Sequence, residues 1–296
     1  MHLYAQGEYV DNIVAELPEL KELLVAAIGQ PIRRISRFMQ LALIGAGRCA
    51  RERELSKEWL KETAVYLASS RGDLDISIDV MGHVFRDGQA PKPLSFVNTV
   101  SNSAAFYVAK CLGLESRSTF ASSRYFAFEN ALQLAHVDLA LGVVRSALLG
   151  TVDTVTLPLQ AHRRRLEIDA DVTVAEASHW LWVGRDAQGE SLGRIVEVQT
   201  AFTRERLLDW LTALPLERSA TAISAGQYLS ADDFESIRGC ARCAHVFDYR
   251  ATRGYYGSQS AAAVAAFAEK HPCRTLLHIN ADPLGRYAVV LFEARG

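Results

Sequence analysis

Strand-like and helix-like stretches alternate along this chain in both of its halves, and that alternation limits the architecture more than any single motif. Apolar residues recur near helical spacing from Ile13 to Ile28, where Gly29 and Pro31 end the run. A second helix is expected over Ile35 to Cys49, and a third apolar run follows over Glu58 to Leu67. Leu74 to Val80 alternates Leu/Ile with Asp/Ser and reads as a strand or an Asp-rich turn. After the turn Asp87 to Pro93, Ser101 or Asn102 caps a helix that runs to Leu112 and stops at Gly113. Ser118 to Ala121 reads as a short buried strand. Ser123 then caps a helical region from Arg124 to Leu149, broken near Gly142 or Gly150, and Thr151 to Leu157 reads as a strand.

The second half repeats the alternation. Val172 to Val174, Trp180 to Val183 and Gly193 to Phe202 read as strands, with a hairpin-like turn at Asp186 to Gly189. Arg204 to Leu214 is amphipathic, Ala222 to Ala225 is a short strand, and Ser230 opens a helix over Asp232 to Cys240. An Ala-rich helix, Ser258 to Lys270, precedes two strands at Arg274 to Asn280 and Arg286 to Glu293. The expected class is α/β, in two halves, 1–160 and 161–296.

The totals exclude several functions. A net charge of −2 argues against a dedicated nucleic-acid binder, and the lack of a long apolar run argues against a membrane span. The N-terminus has no basic signal-peptide region, and five scattered cysteines suit a reducing cytoplasm.

Several segments resemble β-ketoacyl synthases of the thiolase superfamily. Arg34 to Leu43 resembles the family's Arg-rich entry into an early helix, and Pro93 to Ala105 its Pro-x-x-Phe-x-Asn-Ser/Thr-Val-x-Asn segment. Ser118-Thr119-Phe120-Ala121-Ser122-Ser123 resembles the turn carrying the acyl-accepting cysteine, and Leu149 to Asp153 the Gly-Gly-Val/Ala-Asp beyond it. In the second half, Arg250 to Tyr255 is similar to Lys-x-x-x-Gly-His, and Asn280 to Val290 to the glycine-rich loop and its exit strand. The resemblance is closest to short chain-length-factor-like homologues of polyketide and aryl-polyene pathways. It implies a thiolase-like fold of five layers, α/β/α/β/α, with a shortened second half.

The departures decide the expected function. On this reading the cysteine position holds Ala121, the histidine falls on Tyr255 and its lysine on Arg250, and the second histidine motif has no counterpart. Losing a nucleophile alone costs roughly 10⁴- to 10⁶-fold in rate. The resemblance therefore implies a catalytically silent subunit that pairs with an active ketosynthase in fatty acid or polyketide biosynthesis, as a heterodimer, or else forms a homodimer. An acyl carrier protein is a further partner. No cofactor or metal is expected. Two alternatives stand beside it: an acyltransferase or thioesterase-like enzyme using Ser122 or Ser123, and a stand-alone protein that binds an acyl chain or carrier.

Other residues carry weaker signals. Phe120, Tyr125, Phe126, Phe128 and Asn280 are candidates to line or plug an acyl tunnel; ordinary core packing explains the aromatic ones nearly as well. Phe120 would fill space beside the former nucleophile. Cys240, Cys243 and His245 have metal-ligand spacing, but one Cys-x-x-Cys without a second pair reads better as chance spacing at a helix end. Arg163-Arg164-Arg165 reads as a solvated turn or as a contact for an acidic carrier.

Overall fold

A computed structural model describes residues 1–52, 57–100, 102–186, 190–250, 253–269 and 271–295. In chain order the first unit holds β1 (His2–Ile13), α1 (Lys21–Ile28), α2 (Arg37–Arg51), α3 (Lys57–Lys61), β2 (Thr63–Ser69), α4 (Leu74–Met81), α5 (Pro93–Asn98), α6 (Ser103–Leu112), β3 (Ser118–Ser122), α7 (Ala127–Ala140), β4 (Ser146–Asp153), α8 (Leu159–Leu166) and β5 (Val174–Gly184). The second holds β6 (Gly193–Phe202), α9 (Arg204–Ala213), β7 (Thr221–Ala225), α10 (Ala231–Ala241), β8 (His245–Val246), α11 (Ser260–Glu269), β9 (Thr275–Ala281) and β10 (Tyr287–Ala294).

Strand order runs β3-β2-β4-β5-β1-β6-β10-β9-β7-β8. Numbered within its own unit, each set of five strands has the same order, 3-2-4-5-1. The pairing repeats as well. β2 is parallel to β3 and β4, as β7 is to β8 and β9, while β5 and β10 run antiparallel to both of their neighbours. The chain is thus a duplicated unit. The two sets of strands are joined by the short antiparallel pairing of His2 and Leu3 with Arg194 and Gly193. β5, Val174–Gly184, pairs with the first set of strands and β6, Gly193–Phe202, with the second. The second unit keeps all five strands, so its shortening lies in the connections.

Five layers follow from the packing. α2 lies on β1, β4 and β5 with α1 and α6 beside it, forming one outer layer. α7 and α11 touch each other and strands of both sheets, forming the middle layer. α9 and α10 cover the far face of the second sheet. β5 shows the consequence: all eleven residues are buried, because helices cover both faces. Trp180 and Trp182 point to the outer cluster, and Leu181 and Val183 to the middle one, as the two-residue strand period requires. Each such side chain contributes about 1.5–3 kcal/mol on burial. Gly150 is needed opposite Trp180, because a Cβ there would lie 2.4 Å from the indole ring.

Several expectations change. His2–Ile13 is a strand; helix begins only at Lys21, because Pro18 interrupts the apolar run that looked continuous from Ile13. Leu74–Met81 is a helix, since the Asp73 carboxylate accepts from the Ile76 backbone and caps it. The expected break in the Arg124 to Leu149 region does fall at Gly142, whose φ of +71° lies between the helix and β4. β3 is an edge strand with exposed ends, not a buried one. Ser101, the alternative cap, and Ala187 to Gly189 of the hairpin turn lie outside the described residues.

Candidate functional site

In a duplicated α/β unit, the turns that leave parallel strands and enter helices are where side chains converge. The turn from β3 to α7 is the relevant one here. Ala121 is not at its tip. It lies within β3, in register with Ala68 of β2. Ser122 pairs with Ser69 and is exposed, and the Ser123 backbone N–H donates to the Ser69 carbonyl at 3.1 Å. Neither serine caps α7, whose N-cap position is Phe126. No imidazole is a hydrogen-bond partner of either serine among the described residues.

The residue this turn presents to the second unit is Tyr125. Its ring packs edge-on against Tyr228, centroids 4.9 Å apart, and the Arg124 guanidinium lies 5.4 Å from its centre. The Tyr228 hydroxyl lies 3.1 Å from that of Tyr255, which also takes a hydrogen bond from the Gln227 amide. Gln227 and Tyr228 leave the C-terminal end of β7. Tyr255 comes from the segment before α11 and is held to the start of β5, donating to Thr173 O at 2.7 Å while its carbonyl accepts from Ala175 N at 2.9 Å. Gly254 permits that approach: its N–H donates to Asn12 Oδ1 at 2.7 Å, and a Cβ would lie 3.0 Å from the Ala175 side chain.

Behind this cluster, Asn280 of β9 donates to the Tyr125 carbonyl at 3.1 Å and to Glu129 Oε1 at 2.9 Å. Arg250 donates to the Gly226 carbonyl at 3.3 Å. Burial, reinforced by Tyr228, pushes the Tyr255 phenol far above its ordinary range, so it stays protonated. A polar groove of about 460 Å³ opens here, lined by Gln227, Asp248, Arg250, Arg253 and Tyr255.

The structure therefore unites three of the residues singled out from sequence, Tyr125, Tyr255 and Asn280, with Arg250 at the rim. It separates the others. Phe120 faces the outer helices and packs on Phe38, centroids 6.3 Å apart, so it fills no space beside the turn. Phe128 belongs to the core between the sheets, and Phe126 is buried at the start of α7. Gln227 and Tyr228 were missed because their only sequence signal is a position after a short strand. The cysteine pair forms no metal cluster among the described residues. Cys240 bonds to Thr212 and Leu208, and His245 lies exposed on β8. Burial pushes the Cys243 thiol up to about 11.

Two further networks support the cluster. His179 Nε2 lies 2.6 Å from the Tyr256 hydroxyl and its Nδ1 3.2 Å from Glu8, which also binds Arg253. The Asp153 carboxylate accepts from Ser69, Ser70 and the Ser258 backbone, tying β4 and β2 to the segment that enters α11.

No family's sequence profile matches this chain, and no curated protein matches it in sequence. Solved structures do. The ishigamide ketosynthase/chain length factor aligns with TM-score 0.74 at 14% identity, over 100% of this chain and 99% of that one. A type II polyketide synthase acyl-carrier protein in complex with its ketosynthase bound to the hexaketide gives 0.74 at 11% identity, over 99% of each chain. The ketosynthase FabY from P. aeruginosa gives 0.73 at 12% identity, over 93% of this chain and 58% of that one. The fold of this chain is the thiolase-like fold of ketosynthases and chain length factors.

Proposed function

We propose that the chain is a non-condensing, chain-length-factor-like subunit that pairs with an active ketosynthase in fatty acid or polyketide biosynthesis. One observation carries this reading. The turn that the fold would use to present a nucleophile presents Tyr125, and the residues meeting it are Tyr228, Tyr255 and Gln227. Decarboxylative condensation needs a thiolate to hold the acyl chain and imidazoles to support the developing enolate. Phenols and an amide supply neither. On this reading the degenerate nucleophile position is Tyr125 rather than Ala121.

The first unit's surface supports pairing. β3 is a sheet edge with unpaired backbone groups. Beyond it, the α4–α6 region leaves Phe85, Phe96 and Phe106 exposed by 80%, 60% and 57%, with Met81, Val97 and Val100 among them. A patch of this kind on a folded domain marks an interaction surface. The occupant proposed is the ketosynthase, with an acyl carrier protein visiting the basic rim near Arg250.

Co-expression with ketosynthases encoded nearby tests the proposal. The expected result is a stable one-to-one complex, lost on Phe96→Asp plus Phe106→Asp while the variant remains folded. A wild-type chain that stays monomeric beside every such enzyme would count against pairing. Serine-based acyl transfer has no observation in its favour.

A further inference from the structure

The core between the sheets holds a carboxylic acid for which the site above has no chemical use. Glu129, on α7, is 1% exposed. Oε1 accepts from Asn280 at 2.9 Å, the Ser260 hydroxyl also acts on the carboxyl, and Oε2 has no hydrogen-bond partner among the described residues. The groups around it come from three other elements. Ser260 opens α11, His278 and Asn280 lie on β9, and Tyr249 lies in the segment after β8. His278 Nε2 is 3.9 Å from Glu129 Oε1 and is itself unpartnered; its Nδ1 contacts Ser224 at 2.9 Å. The Tyr249 hydroxyl is a third buried atom with no partner, and its ring packs edge-on to His278.

No lysine or arginine bonds Glu129 among the described residues, and the one imidazole near it is sealed from water. An ion pair at this spot would require two charges desolvated with imperfect geometry. That costs several kcal/mol per ion before any return from their attraction. A neutral acid beside a neutral imidazole avoids the cost. Burial favours this state on both sides, raising Glu129 and holding His278 down at about 3. Arg250, the nearest cation acting on His278, pushes it the same way.

The carboxyl also has a mechanical role. Asn280 has one side-chain NH₂, and that group spans Tyr125 O, Glu129 Oε1 and Ser260 Oγ. We propose that Glu129 is carried as the neutral carboxylic acid and, through Asn280, latches the Tyr125 turn onto the second sheet. This inference rests on the core geometry alone and stands whether or not the chain pairs with a ketosynthase.

Infrared difference spectroscopy of wild type against Glu129→Gln tests the protonation state. Hydrogen exchange of the peptide over residues 122–128 tests the latch. A protonated-carboxyl band present at neutral pH and absent in Glu129→Gln is expected. Glu129→Gln keeps an acceptor for Asn280 and should leave exchange in that peptide unchanged. Asn280→Ala should speed it about tenfold or more, the factor of one lost hydrogen bond. Absence of the band at neutral pH, with an imidazolium signal from His278, would overturn the protonation claim. Equal exchange in wild type and Asn280→Ala would overturn the latch.

Discussion

Replacing Asp153 with asparagine should destabilise the chain by about 3 kcal/mol, and the structure shows why. The carboxylate is 6% exposed. Oδ1 accepts from Ser69 Oγ at 3.1 Å, Ser70 N at 2.9 Å and Ser70 Oγ at 2.6 Å, and Oδ2 accepts from Ser258 N at 2.7 Å. Asparagine keeps one acceptor and turns the other into a donor. If its amide group faces Ser258, a buried N–H meets a buried N–H. If it is flipped, three donors from Ser69 and Ser70 face an NH₂. Either way one buried backbone N–H, of Ser258 or of Ser70, loses its acceptor and the remaining bonds go to a neutral amide instead of a carboxylate, together about 3 kcal/mol. At this chain length 1 kcal/mol moves the melting temperature by roughly 2 °C. Asp153→Asn should therefore melt about 6 °C below wild type, with an unchanged denaturant slope. The clamp joins the end of β2 to the entry of α11, so the loss should appear in the cooperative transition of the whole chain. A variant melting within about 1 °C of wild type would refute the argument that these four bonds are sealed from water.

Gly150→Ala should abolish soluble expression or cost at least about 1–3 kcal/mol, because its methyl would sit 2.4 Å from a fully buried Trp180 ring; a normal melting curve would contradict it. Burial alone would raise Glu8, but His179 and Arg253 pull it to about 2. Its stabilising contribution is thus complete above its ordinary value near 4.5 and fades as pH falls toward 2. Glu8 is half-exposed, so after solvent screening this is about 1–2 kcal/mol, and Glu8→Gln should flatten the acid limb of stability against pH. Wild type should show no acyl adduct by intact mass after exposure to acyl-carrier thioesters. Tyr125→Cys, with a thiol at the entry to α7, should gain one; an adduct on Ser122 or Ser123 in wild type would reverse the assignment.

Local signals made part of this fold legible. β6 was readable as Gly193 to Phe202 from its composition and its bounding turn, and α10 because Ser230 caps it as a helix-opening serine should. β1 was hidden because Ile13, Leu17, Leu20 and Leu24 mimic a helical face across a strand end, a loop with Pro18 and a real helix. α4 was hidden because alternating Asp and Ile imitate a strand, and only the cap at Asp73 separates the two. The proposed shift of the degenerate position from Ala121 to Tyr125 has a related reason. A short Ser/Ala motif carries no register, and only the pairing of Ala121 with Ala68 puts it inside the ladder and moves the tip of the turn to Tyr125. Tyr228 and Gln227 became visible only when the duplicated topology brought the end of β7 against that turn.

The reading of a silent subunit is tested most directly by product formation from malonyl- and acyl-carrier thioesters. The isolated chain should release no carbon dioxide and form no β-keto product, while the same thioesters are consumed once the paired ketosynthase is added. Sustained β-keto product from the isolated chain would contradict it.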